Sequence, residues 1–229
     1  MVRTLIASVA LALFAAAPAL AQPRGFPARE PGGLRVSAAL GPSFNWLGDV
    51  TVVEADSAEQ EGQTTEYPVS VGFKGGLMVG YRSGPLGLRV GANFLNTGSI
   101  FDGTTFLNED ELSANFVTLA VDAQVVRPVT PFLDLYAFGG PEFRYLLDLS
   151  GVSNFEEFRD GFESVSTTAS FGAGVRLHLL GYSFGPELRY GLDLGGFSGD
   201  TFETEGGGTV RLDEGFSMNN LLFGLVFGR

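Results

Sequence analysis

The feature that most constrains this chain is an alternation of apolar side chains with polar or small ones, repeated along most of its length. Between residues 67 and 82 the odd positions are mainly apolar, and the even positions are mainly polar or glycine. Successive side chains of a strand point to opposite faces, so this pattern predicts a strand with one apolar face. The same reasoning gives eight strands, at residues 34–46, 67–82, 86–94, 117–125, 132–147, 169–179, 184–194 and 215–227.

The lengths of the strands and of their connections indicate a membrane barrel. Most of the predicted strands run about 10 to 15 residues, close to the roughly 9 to 11 tilted residues that cross a bilayer. The connections are short at Ser83–Pro85, at 127–131 and around Gly181, and the ones between them are long. Bacterial outer-membrane barrels have short periplasmic turns and long outer loops. The sequence therefore predicts an all-β fold, an eight-stranded antiparallel up-and-down transmembrane β-barrel over residues 34–229.

An internal repeat supports this prediction. Similar glycine-led segments occupy equivalent positions of the first, third, fifth and seventh strands, namely residues 41–46, 91–96, 140–145 and 185–190. The repeating unit is a hairpin, and closing four hairpins into a barrel removes the sheet edges that lipid cannot satisfy. Pro42, Pro141 and Pro186 lie inside these strands, where a proline cannot donate a ladder hydrogen bond. We expect bulges or slack pairing at those prolines.

The N-terminal segment has the layout of a cleavable secretory signal. Arg3 precedes the apolar run Leu5–Phe14 and a small-residue stretch that ends at Ala21. We therefore predict a signal peptide at 1–21, a periplasmic lead-in at 22–33 and a protein exported to the bacterial outer membrane. The chain contains no cysteine, so disulfides contribute nothing to its stability.

The formal net charge of −12 argues against nucleic acid as a partner. The acidic residues are concentrated in four segments, 49–66, 102–111, 148–163 and 200–214, which coincide with the long connections. These segments are predicted to be acidic extracellular loops. The expected partners are outer-membrane lipids, including lipopolysaccharide, and an unidentified surface or envelope protein.

If the apolar face of the sheet meets lipid, the opposite face lines the barrel lumen and carries charges of both signs. Buried charge is tolerated when it is paired, and an eight-stranded barrel is just wide enough for side chains to fill it. We predict a salt-bridge network that fills the lumen, with a narrow ion or solute path as the alternative. The predicted lumen charge network is Lys74, Arg82, Arg89, Asp122, Glu142, Arg144, Arg176, His178, Glu187, Arg189 and Asp193.

Catalysis would have to use the single histidine, His178. Ser170 and Glu187 share its face and could complete a hydrolytic trio that acts on lipid A or phospholipid. However, the predicted position of His178, inside the lumen near a short periplasmic turn, does not suit chemistry at the outer leaflet. We predict no catalytic residues, and a membrane-embedded lipid-modifying enzyme is the alternative.

Two acidic clusters, Glu109–Glu111 and Asp200–Glu205, could attract divalent cations, which take several oxygen ligands. Neither cluster has the spacing of a calcium loop, so both are predicted to be solvated surface loops. Weak divalent bridging to lipopolysaccharide phosphates is the alternative. Glycine clusters at 72–76 and 172–174 lie within strands and are not followed by a helix, which excludes nucleotide loops. No metal and no cofactor is predicted.

Several aromatic residues share the outward parity of the apolar face and lie near strand ends. Such residues form girdles at the two membrane interfaces. A soluble, lipocalin-type barrel is the alternative, but it would place charge outside, whereas the outward-facing positions here are nearly free of charge. The predicted girdle is Trp46, Tyr67, Tyr81, Tyr145, Tyr182 and Tyr190.

Three features of the sequence are typical of one family of barrels: the glycine-rich segment Gly72–Arg82, the Gly-Pro-Glu repeats at 140–142 and 185–187, and the closing segment Asn219–Phe227. In these features the chain resembles the PorT-like outer-membrane β-barrel family, which is related in plan to the small barrels typified by OmpX and the OmpA transmembrane domain. The resemblance implies a barrel from about Leu34 onward. Apart from the resemblance, the predicted function is a structural or surface-interaction role. One member of that family supports protein secretion, so a secretion-associated barrel is a further alternative.

Overall fold

The computed structural model describes residues 33–47, 50–54, 63–65, 69–102, 111–150, 165–195, 201–203, 209–212 and 217–229. Side chains are described for 33–46, 69–98, 113–148, 165–195 and 217–229. The predicted signal peptide and nearly all of the lead-in therefore lie outside the described residues. Within the described ranges, no helix is long and apolar enough to span a bilayer.

The described residues form twelve strands. They are β1 (Gly33–Leu47), β2 (Val50–Glu54), β3 (Gln63–Thr65), β4 (Ser70–Ser83), β5 (Leu86–Asp102), β6 (Glu111–Thr130), β7 (Leu133–Ser150), β8 (Val165–Leu179), β9 (Tyr182–Asp193), β10 (Thr201–Glu203), β11 (Thr209–Leu212) and β12 (Met218–Gly228). The eight long strands close a barrel in the order β1-β12-β9-β8-β7-β6-β5-β4, and every neighbouring pair is antiparallel. The predicted eight-stranded antiparallel barrel is confirmed.

The alternation of the sequence maps onto the two faces of the barrel wall. On β4, Leu77 is 64% exposed on the outside, whereas Lys74 is 2% exposed in the interior. Strand geometry produces this difference because residues of opposite parity point to opposite faces. The apolar face is therefore the outer wall, and the charged face lines the lumen.

Three short turns lie at one end of the barrel, where the sequence predicts them. Gly84 has a φ of 62° and precedes Pro85, whose ring holds φ near −65°, so this turn has the φ signs of a type II′ hairpin. At the third turn, Leu180 and Gly181 both have positive φ, 52° and 84°, as in a type I′ hairpin. Both turn types match the right-handed twist of the flanking strands.

Pro42, Pro141 and Pro186 interrupt the ladder without shifting it. At each proline, pairing with one neighbouring strand is missing over two residues, and the register is the same before and after the gap. The expected deviation is therefore slack pairing rather than a bulge. The gaps fall between Leu40 and Ser43 against β12, between Ala120 and Ala123 against β7, and between Gly174 and Leu177 against β9.

The glycine before each of these prolines allows the strands to approach closely. A Cβ atom added at Gly41, Gly140 or Gly185 would overlap a backbone carbonyl oxygen of the facing strand. In each repeated Gly-Pro pair, the glycine, which has no side chain, thus faces the lumen. The proline ring, whose nitrogen carries no hydrogen, lies on the outer face of the barrel wall.

A second sheet, which the sequence did not predict, has the strand order β10-β11-β2-β3. It joins the connection between β1 and β4 to the connection between β9 and β12, through pairs such as Val210 with Glu54. These connections were predicted to be acidic loops. The four strands of the second sheet have only three to five residues each. That is too few for an alternation of apolar and polar residues to be recognised in the sequence.

Candidate functional site

The most concentrated chemistry of the described residues is inside the barrel, and Glu142 on β7 is at its centre. Its carboxylate contacts three cations, with Nζ of Lys74 at 2.6 Å, Nη1 of Arg189 at 3.4 Å and Nε of Arg144 at 3.5 Å. Arg144 is fully buried and also donates to the carbonyl oxygen of Met218 at 2.8 Å. Strands β4, β7 and β9 are thereby connected across the lumen.

Two further carboxylates complete this central ion cluster. Arg89 on β5 reaches Asp122 at 2.9 Å and Glu187 at 2.6 Å, and Arg189 reaches the same Asp122 at 2.6 Å. The hydroxyl of Tyr136 donates to Glu187 at 3.0 Å. All of these side chains are buried, so each charge depends on its partners rather than on water.

Aromatic rings line the cluster on the β7 side. The guanidinium carbons of Arg89 and Arg189 lie 4.2 and 4.7 Å from the ring centroid of Phe138, and that of Arg176 lies 4.6 Å from the ring of Tyr136. These distances are within the range of cation–π contacts. The sequence analysis did not assign Tyr136 and Phe138 to the lumen, because the alternation of that strand is less regular.

The end of the lumen opposite the short turns is polar but largely uncharged. Asn45 Nδ2 donates to the carbonyl oxygen of Thr97 at 3.0 Å, and Ser70 Oγ donates to the same oxygen at 2.8 Å. Asp193, predicted for the lumen network, lies at this end, and its Oδ2 accepts a hydrogen bond from the N–H of Met218 at 2.8 Å. Hydrogen bonds rather than ion clusters hold this part together.

At the short-turn end, a separate group forms around Asp134. Its Oδ2 lies 3.2 Å from Nη1 of Arg82 and 2.9 Å from Nε2 of His178. Asp134 was not among the predicted residues. It shares the even parity of Glu142 on β7, and this signal would have found it.

The hydrolytic trio considered from the sequence is not assembled. Ser170 Oγ donates to the carbonyl oxygen of Gly140 at 3.2 Å, while the ring of His178 contacts Asp134. Ser170 and His178 lie on the same strand, β8, eight residues apart, a separation of about 26 Å along an extended chain. His178 therefore cannot activate Ser170.

Three of the predicted girdle tyrosines project from the outer wall. Tyr81 and Tyr182 are exposed at the short-turn end, and Tyr145 is exposed towards the opposite end. The guanidinium of Arg229 lies 5.5 Å from the ring centroid of Tyr182. Tyr67 lies outside the described residues.

Tyr190 and Trp46 are placed differently. Tyr190 is only 9% exposed, because its ring packs 5.7 Å from that of Trp46 and 5.3 Å from that of Phe171. Trp46 is half-buried. These three rings form one aromatic cluster rather than separate interface anchors.

Where side chains are described, no group of three or more histidine, aspartate or glutamate residues has an arrangement that could hold a metal ion. Of the acidic cluster Glu109–Glu111, the first two residues lie outside the described residues. In the cluster Asp200–Glu205, only the backbone of 201–203 is described.

The polarity of the wall defines the class of protein. Large apolar side chains cover the outside, whereas lysine, arginine, aspartate and glutamate are buried inside. A soluble protein does not expose such a continuous apolar surface, and a closed barrel is one of the two backbone arrangements that can span a bilayer. This is a transmembrane β-barrel.

A family model described as outer membrane protein beta-barrel domain matches residues 7–205. The chain belongs to this family, and its location is the bacterial outer membrane. The search of curated proteins found no match.

Solved structures that this chain matches come from three bacterial groups. Ail, the attachment invasion locus protein of Yersinia pestis, solved with the heparin analogue sucrose octasulfate, has 16% identity and a TM-score of 0.40, with 87% of this chain and 100% of Ail covered. Neisserial surface protein A has 13% identity and a TM-score of 0.48, covering 86% and 98%. OprG of Pseudomonas aeruginosa has 12% identity and a TM-score of 0.48, covering 86% and 97%.

Proposed function

We propose that this protein is a non-conducting outer-membrane barrel that presents its long outer connections to the surroundings of the cell. One observation carries the proposal. The central ion cluster crosses the lumen between strands that are not neighbours, as in the 2.6 Å contact of Lys74 with Glu142. The four long connections leave the end of the barrel opposite the short turns.

The pairing of opposite charges in the cluster favours a closed lumen over a pore. Four cations, Lys74, Arg89, Arg144 and Arg189, meet three carboxylates, Asp122, Glu142 and Glu187, and all seven are buried. Opening a water-filled path would require these contacts to separate. Buried ion pairs resist separation, because each charge left without its partner would be buried without compensating interactions.

The proposal includes the finer expectations from the sequence. They are a cleaved signal at 1–21, acidic loops that contact lipopolysaccharide or an envelope protein, membership of the PorT-like barrels, and the absence of enzymatic activity. The separation of Ser170 from His178 supports the last of these. In a surface role, the functional contacts are made by the long connections. The side chains inside the lumen then stabilise the barrel.

Single-cysteine labelling on intact cells tests this proposal, since the chain has no native cysteine. Ser153→Cys lies in the connection between β7 and β8, and Ser83→Cys lies at a short turn. A membrane-impermeant maleimide is expected to label Ser153→Cys on intact cells, and to label Ser83→Cys only after the outer membrane is permeabilised.

The gel shift between unheated and boiled samples serves as the folding control for both variants. Labelling of Ser83→Cys but not Ser153→Cys on intact cells would reverse the orientation and overturn the surface role. Labelling of neither variant before permeabilisation would also contradict the proposal.

A further inference from the structure

The short-turn end of the barrel contains two adjoining cavities. The larger, of about 410 Å³, opens between the first residues of β1 and the turn at Leu180–Gly181. The smaller, of about 30 Å³, lies deeper, towards the central ion cluster, and has room for about two water-sized atoms. Arg35, Arg82 and Ser183 belong to the walls of both cavities. We call the two together the mouth.

The mouth is strongly basic. Arg35, Arg82, Arg176 and Arg229 line it, and Asp134 is the one carboxylate side chain among its described lining residues. Arg89 also reaches the smaller cavity, but Asp122 and Glu187 already balance its charge. Arginine side chains therefore outnumber carboxylate side chains among the described lining residues of the mouth.

An unsatisfied donor lies at the inner end of the mouth. Gln124 lines the smaller cavity and is 8% exposed, and its Nε2 is buried without a hydrogen-bond partner. Buried polar groups in folded proteins nearly always have a partner, so an isolated one needs an explanation. The same cavity is lined by guanidinium groups, which only donate hydrogen bonds, and by Ser37 and Ser183, whose hydroxyls both donate and accept.

We propose that the mouth is a binding site for a phosphate group, held by Arg35, Arg82 and Arg176, with one oxygen directed towards Gln124. Phosphate carries between one and two negative charges at neutral pH, and its unprotonated oxygens accept hydrogen bonds. Guanidinium groups bind phosphate oxygens in pairs, which makes arginine the preferred residue for such a site. The group is supplied either by inorganic phosphate or by a phospholipid headgroup of the adjacent leaflet.

Calorimetric titration of the full chain in phosphate-free maltoside micelles tests the proposal. One arm uses inorganic phosphate, and the other uses dihexanoyl phosphatidic acid, with dihexanoyl glycerol as its phosphate-free control. Saturable binding of one equivalent is expected in at least one phosphate arm and none is expected with the glycerol. Arg176→Gln is expected to weaken this binding at least about tenfold, because a charge-assisted hydrogen bond is lost.

The matched control is Arg127→Gln, which removes the same charge from an exposed side chain at the same end of the barrel. It is expected to leave the affinity unchanged. Gln124→Leu is a second, uncharged variant and is expected to weaken binding about threefold or more. If the heat-dependent gel shift shows that Arg176→Gln does not fold, the affinity of Gln124→Leu still tests the proposal.

The two arms separate the sources of the phosphate group. Binding of the lipid alone identifies a headgroup site, and binding of inorganic phosphate, with or without the lipid, identifies a site for the free anion. No saturable binding in either arm would overturn the proposal. Equal weakening by Arg176→Gln and Arg127→Gln would also overturn it, because the attraction would then be a general effect of charge.

Discussion

The ammonium group of Lys74 lies 2.6 Å from the carboxylate of Glu142, although two other strands separate β4 from β7 in the barrel wall. The contact therefore crosses the lumen rather than running along the sheet. Both side chains are almost completely buried. Their interaction is stable only as a paired arrangement, because neither charge has access to bulk water.

Removal of Glu142 is expected to cost more stability than removal of Lys74. Glu142→Gln leaves Lys74, Arg144 and Arg189 without their shared carboxylate, and breaking a buried pair in this way costs about 3–5 kcal/mol. Lys74→Met leaves Glu142 in contact with two arginines, so the expected cost is about 1–3 kcal/mol. Urea unfolding in micelles measures both values.

The double variant supplies the control for this pair. Glu142→Gln combined with Lys74→Met is expected to lose less than the sum of the single losses, because the two residues interact directly. Additive losses, or a larger loss for Lys74→Met, would contradict the arrangement described for the central ion cluster.

Gly140→Ala is expected to destabilise the barrel severely. The new methyl group would overlap the carbonyl oxygen of Val121 on the neighbouring strand, and relieving the overlap would move the two strands apart. Gly224→Ala is the control within a strand, because its Cβ would have no neighbour closer than 3.6 Å. Heat-dependent gel mobility is expected to show a lower unfolding temperature for Gly140→Ala only. A similar loss in both variants would refute the close approach at the Gly-Pro pair.

Leu180→Asn is expected to stabilise the protein. Leu180 has a φ of 52° and is 92% exposed, so it has little packing to lose. A left-handed conformation costs a residue with an ordinary side chain about 1–2 kcal/mol, whereas asparagine adopts it more readily. A gain of up to about 1 kcal/mol in the free energy of unfolding is expected. Phe132→Asn, at a turn residue without positive φ, should give no gain, and equal gains would point to the loss of exposed apolar surface instead.

The fold could be predicted from the sequence because a barrel wall has only two faces. The parity of Leu77 and Lys74 is sufficient to assign one to lipid and the other to the lumen. The interaction partners of the side chains in the lumen could not be predicted from the sequence. Parity gives neither the height of a residue along the barrel axis nor its position around that axis. The contact between Lys74 and Glu142 depends on the stagger of all the strands between them.

The errors of the sequence analysis have specific physical causes. Asp134 was overlooked because Tyr136 and Phe138 interrupt the expected polar pattern on the inner face of β7. Tyr190 has the outward parity, but neighbouring rings cover it. The small sheet of β2, β3, β10 and β11 forms between segments far apart in the chain, and pairing at that distance leaves no local signal.

Planar-bilayer recording of the purified protein tests the occluded lumen most directly. The variant Glu142→Ala with Arg189→Ala removes one charge of each sign from the central ion cluster, and serves as the comparison. The wild-type protein is expected to show no resolved conductance steps, while the double variant is expected to show them if it still folds. Regular single-channel steps from the wild-type protein would contradict the account, because ions would then pass through the region that the cluster fills.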